Sequence, residues 1–531
     1  MVTAPMPEGA VLPLVREVTG SPDPLALYAA LSDGGRKPGT FLLESGETGA
    51  GAGERSLLGV SPALRITCTG RTATITGVSA NGRSLLRWTA ERLKPLADVS
   101  LDGDTVRAVF PVPPPGPRDE ASRGRLPSPL DALRAVVMGP VLLAKPIDAC
   151  HLAGGVFSYD LVELFEELPP GAPESATTPH FEFVIPDRLI IVDHLRHRTL
   201  VVATAVGGPD GEANYHDAVN AIGPLLASVA AASTVRPVLP SSRPPAVEPS
   251  VDLSDAEYAD LVVRLKRHIV AGDVFQIVAS RTFSIPCPDP LEAYGRLRAA
   301  NPSPYLFYVV GADSIIFGAS PETAVKVTGT PRRVTIRPIA GTAGRGRTGT
   351  GSIDADLDTR REAALRLDQK ETAEHMMLVD LARNDVARVS RPGTRQVTRL
   401  LTVDRYAHVM HLVSEVQGEL AEGLDALHAY AAAMNMGTLV GTPKIRAAAI
   451  LREVESSRRG AYGGAAGYLT QDGEMDTAIV IRAAVVRDGI ARVRAGAGIV
   501  FDSDPASEAM ETRRKAEAVL RAIAGPGASD A

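Results

Sequence analysis

Residues 63–76 read Ala63-Leu-Arg-Ile-Thr67-Cys-Thr-Gly70-Arg-Thr72-Ala-Thr-Ile-Thr76, two β-rich runs parted by a glycine. Such short runs, broken by Gly, Asn and Asp between residues 40 and 90, predict antiparallel hairpins. The same texture recurs far downstream at Tyr305–Val310, Ala324–Val327 and Val334–Ile336. There it alternates with two long helical runs, Glu362–Arg388 and Ala506–Ile523. Strands in hairpins beside separate helices imply an α+β fold, with large antiparallel β-sheets packed with helices.

At 531 residues the chain exceeds what one hydrophobic core usually serves. Two Pro-rich stretches, Phe110–Pro129 and Val235–Pro249, read as exposed loops or linkers. The second precedes a capping box, Ser254-Asp-Ala-Glu257, after which Tyr258, Leu261, Val262, Leu265 and Ile269 follow at helical spacing. The expected organisation is an N-terminal region over 1–235, a linker over 236–250, a second domain over 251–525 and a loose tail over 526–531.

A net charge of −6 argues against a nucleic-acid partner. Neither a basic segment ahead of an apolar leader nor an apolar run of about 20 residues is visible, so a cytoplasmic protein without a membrane span is expected. Cys68, Cys150 and Cys287 lack metal-ligand spacing and read as packing residues in a reducing compartment.

Two Glu-x-x-Glu motifs, Glu371-Thr-Ala-Glu374 and Glu508-Ala-Met-Glu511, place carboxylates three residues apart on one helix face. Like charges at that spacing cost a few tenths of a kcal/mol, so either the faces are solvated or a cation offsets them. As hard oxygen donors the carboxylates suit Mg²⁺. His411 sits among Val409, Val413 and Val416, a β-branched setting that predicts a strand and points His408 to the opposite face. It is either a structural histidine or a general acid/base. Gly344-Arg-Gly-Arg-Thr-Gly349 matches a nucleotide-loop pattern, but no βαβ unit surrounds it, and a mobile Arg-rich surface loop is expected. Gly496-Ala-Gly498, read as following a strand over Ile490–Arg494, is a close-approach site for an anion or a packing turn.

Several longer blocks occur in one order: Gly272-Asp-Val-Phe-Gln276, Phe317-Gly-Ala-Ser-Pro-Glu322, Arg337-Pro-Ile-Ala-Gly-Thr342, the stretch from Asp368 to Asp385, Met410-His-Leu-Val-Ser414, Gly460-Ala-Tyr-Gly-Gly464 and Arg494-Ala-Gly-Ala-Gly-Ile499. Together they resemble component I of anthranilate synthase, within the chorismate-utilising enzyme family. The resemblance implies Mg²⁺ on Glu374 and Glu511, with Glu371 and Glu508 beside them. Chorismate would place one carboxylate on the metal. Its other carboxylate would meet Arg482, Tyr462 and the backbone of Gly496, Ala497 and Gly498, with Lys515 nearby and Gly341 and Thr342 lining the ring. Ammonia would add at ring C2 as the C4 hydroxyl leaves, with Glu322 the candidate acid, and His411 would manage protons around pyruvate loss.

Ala340 stands where the relatives that keep nitrogen at C4 resemble one another in carrying a lysine nucleophile. Gln276 stands where isochorismate and salicylate synthases carry a water-activating lysine, and an amide cannot serve as that base. Ammonia is therefore the expected nucleophile. No cysteine lies in a Gly-x-Cys-x-Gly setting, so a separate glutamine amidotransferase subunit would supply it, in a heterotetramer of two large and two small subunits.

Leu42-Leu-Glu-Ser45, Arg55-Ser-Leu-Leu-Gly59, Gly154-Gly-Val-Phe-Ser-Tyr-Asp160 and Asn301-Pro-Ser-Pro-Tyr-Leu306 resemble the family's tryptophan feedback elements, where Glu44, Ser45, Arg55, Pro304, Tyr305 and Leu306 would meet L-tryptophan. The alternatives are a synthase that stops at aminodeoxyisochorismate, or a silent tryptophan sensor.

Overall fold

The computed structural model describes residues 5–46, 54–114, 124–172, 178–233, 247–349, 351–406 and 409–525. The hairpin at 63–76 forms as its alternation predicts: Arg55–Thr69 pairs antiparallel with Thr72–Gly77, with Leu64, Ile66 and Ile75 buried. Among the described residues the strands join in one hydrogen-bonded network, antiparallel except where Ala10–Val11 meets Val141–Leu142. Helices pack on its faces, and the architecture is α+β. None of the described helices is long and apolar enough to cross a membrane.

Strand pairing links residues far apart in sequence. Thr40–Ser45 pairs with Tyr305–Val310, and Leu152–Phe157 pairs with Ala465–Thr470. These pairings cross the expected linker at 236–250, most of which lies outside the described residues, as do His408 and the 526–531 tail.

The helix Asp255–Val270 starts at the capping box, Ser254 and Glu257 satisfying each other's backbone N–H groups. Its buried Tyr258, Leu261, Val262 and Leu265 pack toward the Lys444–Val454 helix and the C-terminal helix Pro505–Ala524. That last helix is pinned to the strand Gln276–Pro286 by Arg281, fully buried, which donates to Thr512 Oγ1 at 2.8 Å and to the Ala509 carbonyl at 2.7 Å.

Three local expectations are corrected. The run Glu362–Arg388 is two helices, Ala355–Leu367 and Gln369–Ala387. Asp368 adopts an extended ψ of 113° between them, and its carboxylate caps the Glu371 N–H at 3.0 Å. Gly496–Gly498 lies inside a strand, Ile490–Ile499, in register with Val278–Ser280. A Cβ at Gly496 would sit 2.5 Å from the Ala279 carbonyl oxygen, so the glycine serves close approach within the sheet and makes no turn. The Arg-rich segment after Gly344 is anchored: Arg345 pairs with buried Asp358 at 2.9 Å, and the Gly346 N–H joins the same carboxylate at 2.8 Å.

Candidate active site

A helix and two adjacent strands carry several of the candidate residues, and buried side chains tie them together. The Gln369–Ala387 helix is fastened by buried His375, whose ring nitrogens meet the Ala340 carbonyl at 3.1 Å and Ser414 Oγ at 2.7 Å. Those partners belong to the adjacent strands Ile339–Gly344 and Val409–Glu419, which carry Gly341, Thr342 and His411. Farther along, the helix is tied to the Lys444–Val454 helix by the buried Lys444–Asp385 pair at 2.8 Å.

Glu371 and Glu374 therefore face the sheet glycines. Glu371 Oε2 lies 3.2 Å from where a Cβ on Gly341 would stand, and Glu374 Oε1 lies 3.8 Å from the same point on Gly498. Gly341 has φ +84°, a backbone that favours glycine. Gln276 donates through Nε2 to Glu374 Oε1 at 2.8 Å, while its buried Oε1 finds no partner among the described residues. From the C-terminal helix, Lys515 reaches Glu511 at 2.7 Å and the Gly496 carbonyl at 3.1 Å. Burial pushes the Glu371 and Glu508 carboxyls upward, and repulsion from Glu374 and Glu511 respectively adds to it. The Glu511 charge also acts on Glu371, linking the acidic pairs of the two helices.

Among the described residues no three acidic, His or Cys side chains converge tightly enough to cage a metal alone. All-oxygen, partly repelling donors with room for further ligands fit Mg²⁺, which commonly takes one or two protein carboxylates and completes its shell with water and substrate oxygens.

Glu322 is buried, and its Oε1 accepts a hydrogen bond from Thr438 Oγ1 at 3.0 Å. Burial pushes its carboxyl up to about 8, partly opposed by the Thr438 bond and by Lys515 and Arg482. It therefore holds a proton near neutrality. His411 behaves oppositely: burial, then the Arg482 charge, push its imidazole down to about 4. Its Nδ1 meets Thr342 Oγ1 at 2.9 Å, the Tyr406 ring packs edge-on at 5.5 Å, and buried Nε2 has no partner among the described residues. Burial thus shifts the two groups in opposite directions, the pattern by which environment separates acid from base. Arg482, at φ +49°, is mostly buried and acts electrostatically on both groups, while Tyr462 Oη lies against Gly496.

Charges link several of the predicted residues: Lys515 acts on Glu322 and Glu508, and Arg482 on Glu322 and His411. Thr438 and Tyr406 join them unforeseen, because neither stands in a spacing that signals chemistry.

A second cavity gathers the other predicted set. Glu44 and Ser45 lie opposite Leu306 and Tyr305 in the sheet, and Arg55 lines the same space. Pro304 joins through its carbonyl, which accepts from the Gly46 N–H at 3.2 Å. Glu44 accepts from Tyr294 at 2.6 Å and Arg298 at 3.0 Å. The sequence reading missed Tyr468, bonded to Arg55 at 2.7 Å, and Asp476, which accepts from Tyr305 Oη at 2.9 Å.

With this geometry in hand, comparison with known proteins is specific. The family model for chorismate binding enzymes matches residues 126–521. Anthranilate synthase component 1 of Vibrio cholerae is 48% identical over 508 residues, covering 96% of this chain and 95% of the relative. The pyocyanine-specific anthranilate synthase component 1 of Pseudomonas aeruginosa is 50% identical over 479 residues, covering 89% and 88%. The crystal structure of anthranilate synthase component I from Streptococcus pneumoniae superimposes with a TM-score of 0.69 at 30% identity, covering 88% of this chain and 92% of that one. The chain belongs to the chorismate binding enzymes, among the anthranilate synthase component 1 proteins.

Proposed function

We propose that this chain converts chorismate and ammonia to anthranilate and pyruvate, the committed step toward tryptophan. The observation that carries the reading is that one buried cation, Arg482, acts on two buried groups of opposite shift, the Glu322 carboxyl pushed up to about 8 and the His411 imidazole pushed down to about 4. Near-full-length likeness to anthranilate synthase component 1 proteins supports it.

The first step requires hydroxide to leave C4, and Glu322 supplies the proton that makes it water as ammonia bonds to C2. The adduct nitrogen then sheds its extra proton, leaving aminodeoxyisochorismate. In the second step the C2 proton departs, the C3–O bond breaks, and protonation of the enolpyruvyl carbon releases pyruvate with the aromatic ring. His411, with Nδ1 on Thr342 and Nε2 open, is placed to take up and return a proton there. Arg482 and Tyr462 bind one substrate carboxylate, assisted by the Gly496–Gly498 backbone. Glu374 and Glu511 would hold Mg²⁺, with Glu371 and Glu508 adjacent. When bound, the ion draws electron density toward the ring carboxylate.

Gln276 Nε2 is committed to Glu374, so its amide offers the nucleophile an acceptor and no base, in keeping with ammonia. A separate glutamine amidotransferase subunit, the component 2 that the relatives' naming implies, would deliver it, in a heterotetramer. A cytoplasmic setting fits three buried, unpaired cysteines. Purified chain with chorismate, Mg²⁺ and ammonium chloride at mildly alkaline pH should yield fluorescent anthranilate and stoichiometric pyruvate. Aminodeoxyisochorismate without pyruvate would instead assign a synthase that stops halfway.

We also assign the second cavity to L-tryptophan as feedback inhibitor. Arg55, stacked over Tyr468 at 5.6 Å, gives it a cation–π wall beside the buried Glu44 carboxylate. Arg55→Ala should leave uninhibited kcat near wild type and raise the tryptophan concentration for half-inhibition about tenfold or more, as loss of one charge-assisted contact predicts. An unchanged inhibition curve would remove the cavity from that role.

A further inference from the structure

Behind the proposed carboxylate site lies a buried ionic cluster that the reaction steps do not use. Glu455 ends the Lys444–Val454 helix, and its side chain is 5% exposed. Five hydrogen bonds converge on it: from Ser280 N–H at 3.0 Å and Oγ at 2.8 Å, from Arg459 at 2.7 and 2.9 Å, and from Arg494 at 2.9 Å. Arg459 and Arg494 are themselves 2% and 8% exposed. A buried charged cluster costs desolvation that apolar packing would avoid, and its retained use is fixing geometry.

The geometry it fixes is that of the carboxylate site. Arg494 stands two residues before Gly496 on the same strand, and Ser280 is the register partner of Gly496 on the next. Arg494 also donates to Ser280 Oγ at 2.8 Å. Arg459 stands three residues before Tyr462, whose N–H donates to the Arg459 carbonyl at 3.2 Å; its guanidinium lies 5.9 Å from the Tyr462 ring centroid. The Tyr462 hydroxyl in turn lies 3.0 Å from the position a Gly496 Cβ would take. One carboxylate therefore ties together the two adjacent strands and the loop that present the two halves of the anion site.

Resting on the chorismate reading above, we infer that Glu455 is a positioning residue, holding the Tyr462 hydroxyl and the Gly496–Gly498 backbone at the spacing that receives the substrate carboxylate. Nothing in the cluster touches substrate, so its loss acts on binding geometry more than on proton transfer.

Ser280→Ala is the mild test, since it removes two hydroxyl bonds of the cluster and little volume. It should raise KM for chorismate about tenfold, the worth of roughly one hydrogen bond, with kcat and KM for ammonium little changed. Glu455→Gln should raise KM for chorismate further. Thermal melts accompany both; if Glu455→Gln does not fold, Ser280→Ala decides alone. A lowered melting temperature with unchanged KM for chorismate would overturn the positioning role and leave a structural one. Failure of the wild-type chain to turn over chorismate would instead strike the functional reading beneath it.

Discussion

Replacing Glu322 with glutamine should lower kcat by about 10² to 10⁴, the range general acids contribute, while KM for chorismate stays close to wild type. Glutamine keeps the shape and can still accept the Thr438 hydrogen bond, but has no proton to give the departing hydroxyl. Because burial pushes the carboxyl up to about 8, the acid form predominates at neutral pH and is lost above that value. At constant free ammonia, the wild-type rate should therefore fall as pH rises through about 8. The same shift makes a stability prediction of opposite sign. In the unfolded chain this carboxyl loses its proton near pH 4.3, roughly, whereas the folded chain keeps it to about 8. Between those limits the unfolded state binds fewer protons, so Glu322 costs stability progressively as pH rises, up to its folded value. Glu322→Gln should then melt higher than wild type at pH 8 and by less at pH 5. An inactive variant that melts higher cannot owe its inactivity to misfolding. A variant of near wild-type kcat would take the acid role from Glu322.

The sequence carried the fold where alternation and capping are local. The 63–76 hairpin and the helix after Ser254 rest on interactions a few residues apart, and the strands Tyr305–Val310 and Val334–Ile336 each pair with a sequence neighbour as well as with a distant strand. Asp368 escaped because its run stays helical in composition on both sides; only a capped, extended ψ at one residue divides it. From sequence alone, Gly496-Ala-Gly498 is equally a close-approach site and a turn after the strand, since glycine suits both. In the structure its bareness admits the Ala279 carbonyl and Tyr462. The active site was legible through the doubled Glu-x-x-Glu spacing and the blocks of resemblance. What neither could show is contact set by the fold: Thr438 on Glu322 from 116 residues away, Tyr406 against His411 across a strand entry, and Tyr468 and Asp476, hundreds of residues on, completing the cavity begun by Glu44 and Arg55. Glu455 looks like an ordinary helix-end glutamate, and its burial follows only from the approach of Ser280 and Arg494.

The second large effect is expected at the acidic pairs. Glu374→Gln and Glu511→Gln should each abolish measurable turnover at millimolar Mg²⁺, and EDTA should do the same to the wild-type chain. Glu371→Gln and Glu508→Gln should retain activity but need about 10- to 100-fold more Mg²⁺, the usual consequence of losing a group that supports a ligand. The asymmetry follows the proposed ligand roles. Glu374 accepts from Gln276 at 2.8 Å, and Glu511 pairs with Lys515 at 2.7 Å, which also donates to the Gly496 carbonyl. Glu371 instead lies by Gly341, and Glu508 sits in the first turn of its helix. A readout independent of turnover is the melting temperature under Mg²⁺ titration. Binding to the folded chain alone adds about 2.7 kcal/mol at a hundredfold excess over Kd, enough to shift the melt visibly. That shift should vanish in Glu374→Gln and Glu511→Gln and move to higher Mg²⁺ in the other two. Because Lys515 pairs with Glu511 at 2.7 Å, Lys515→Met should tighten Mg²⁺ binding in this melt. Four variants with the same Mg²⁺ response as wild type would place the ion elsewhere, and would leave the repelling carboxylates without the cation that their chemistry calls for.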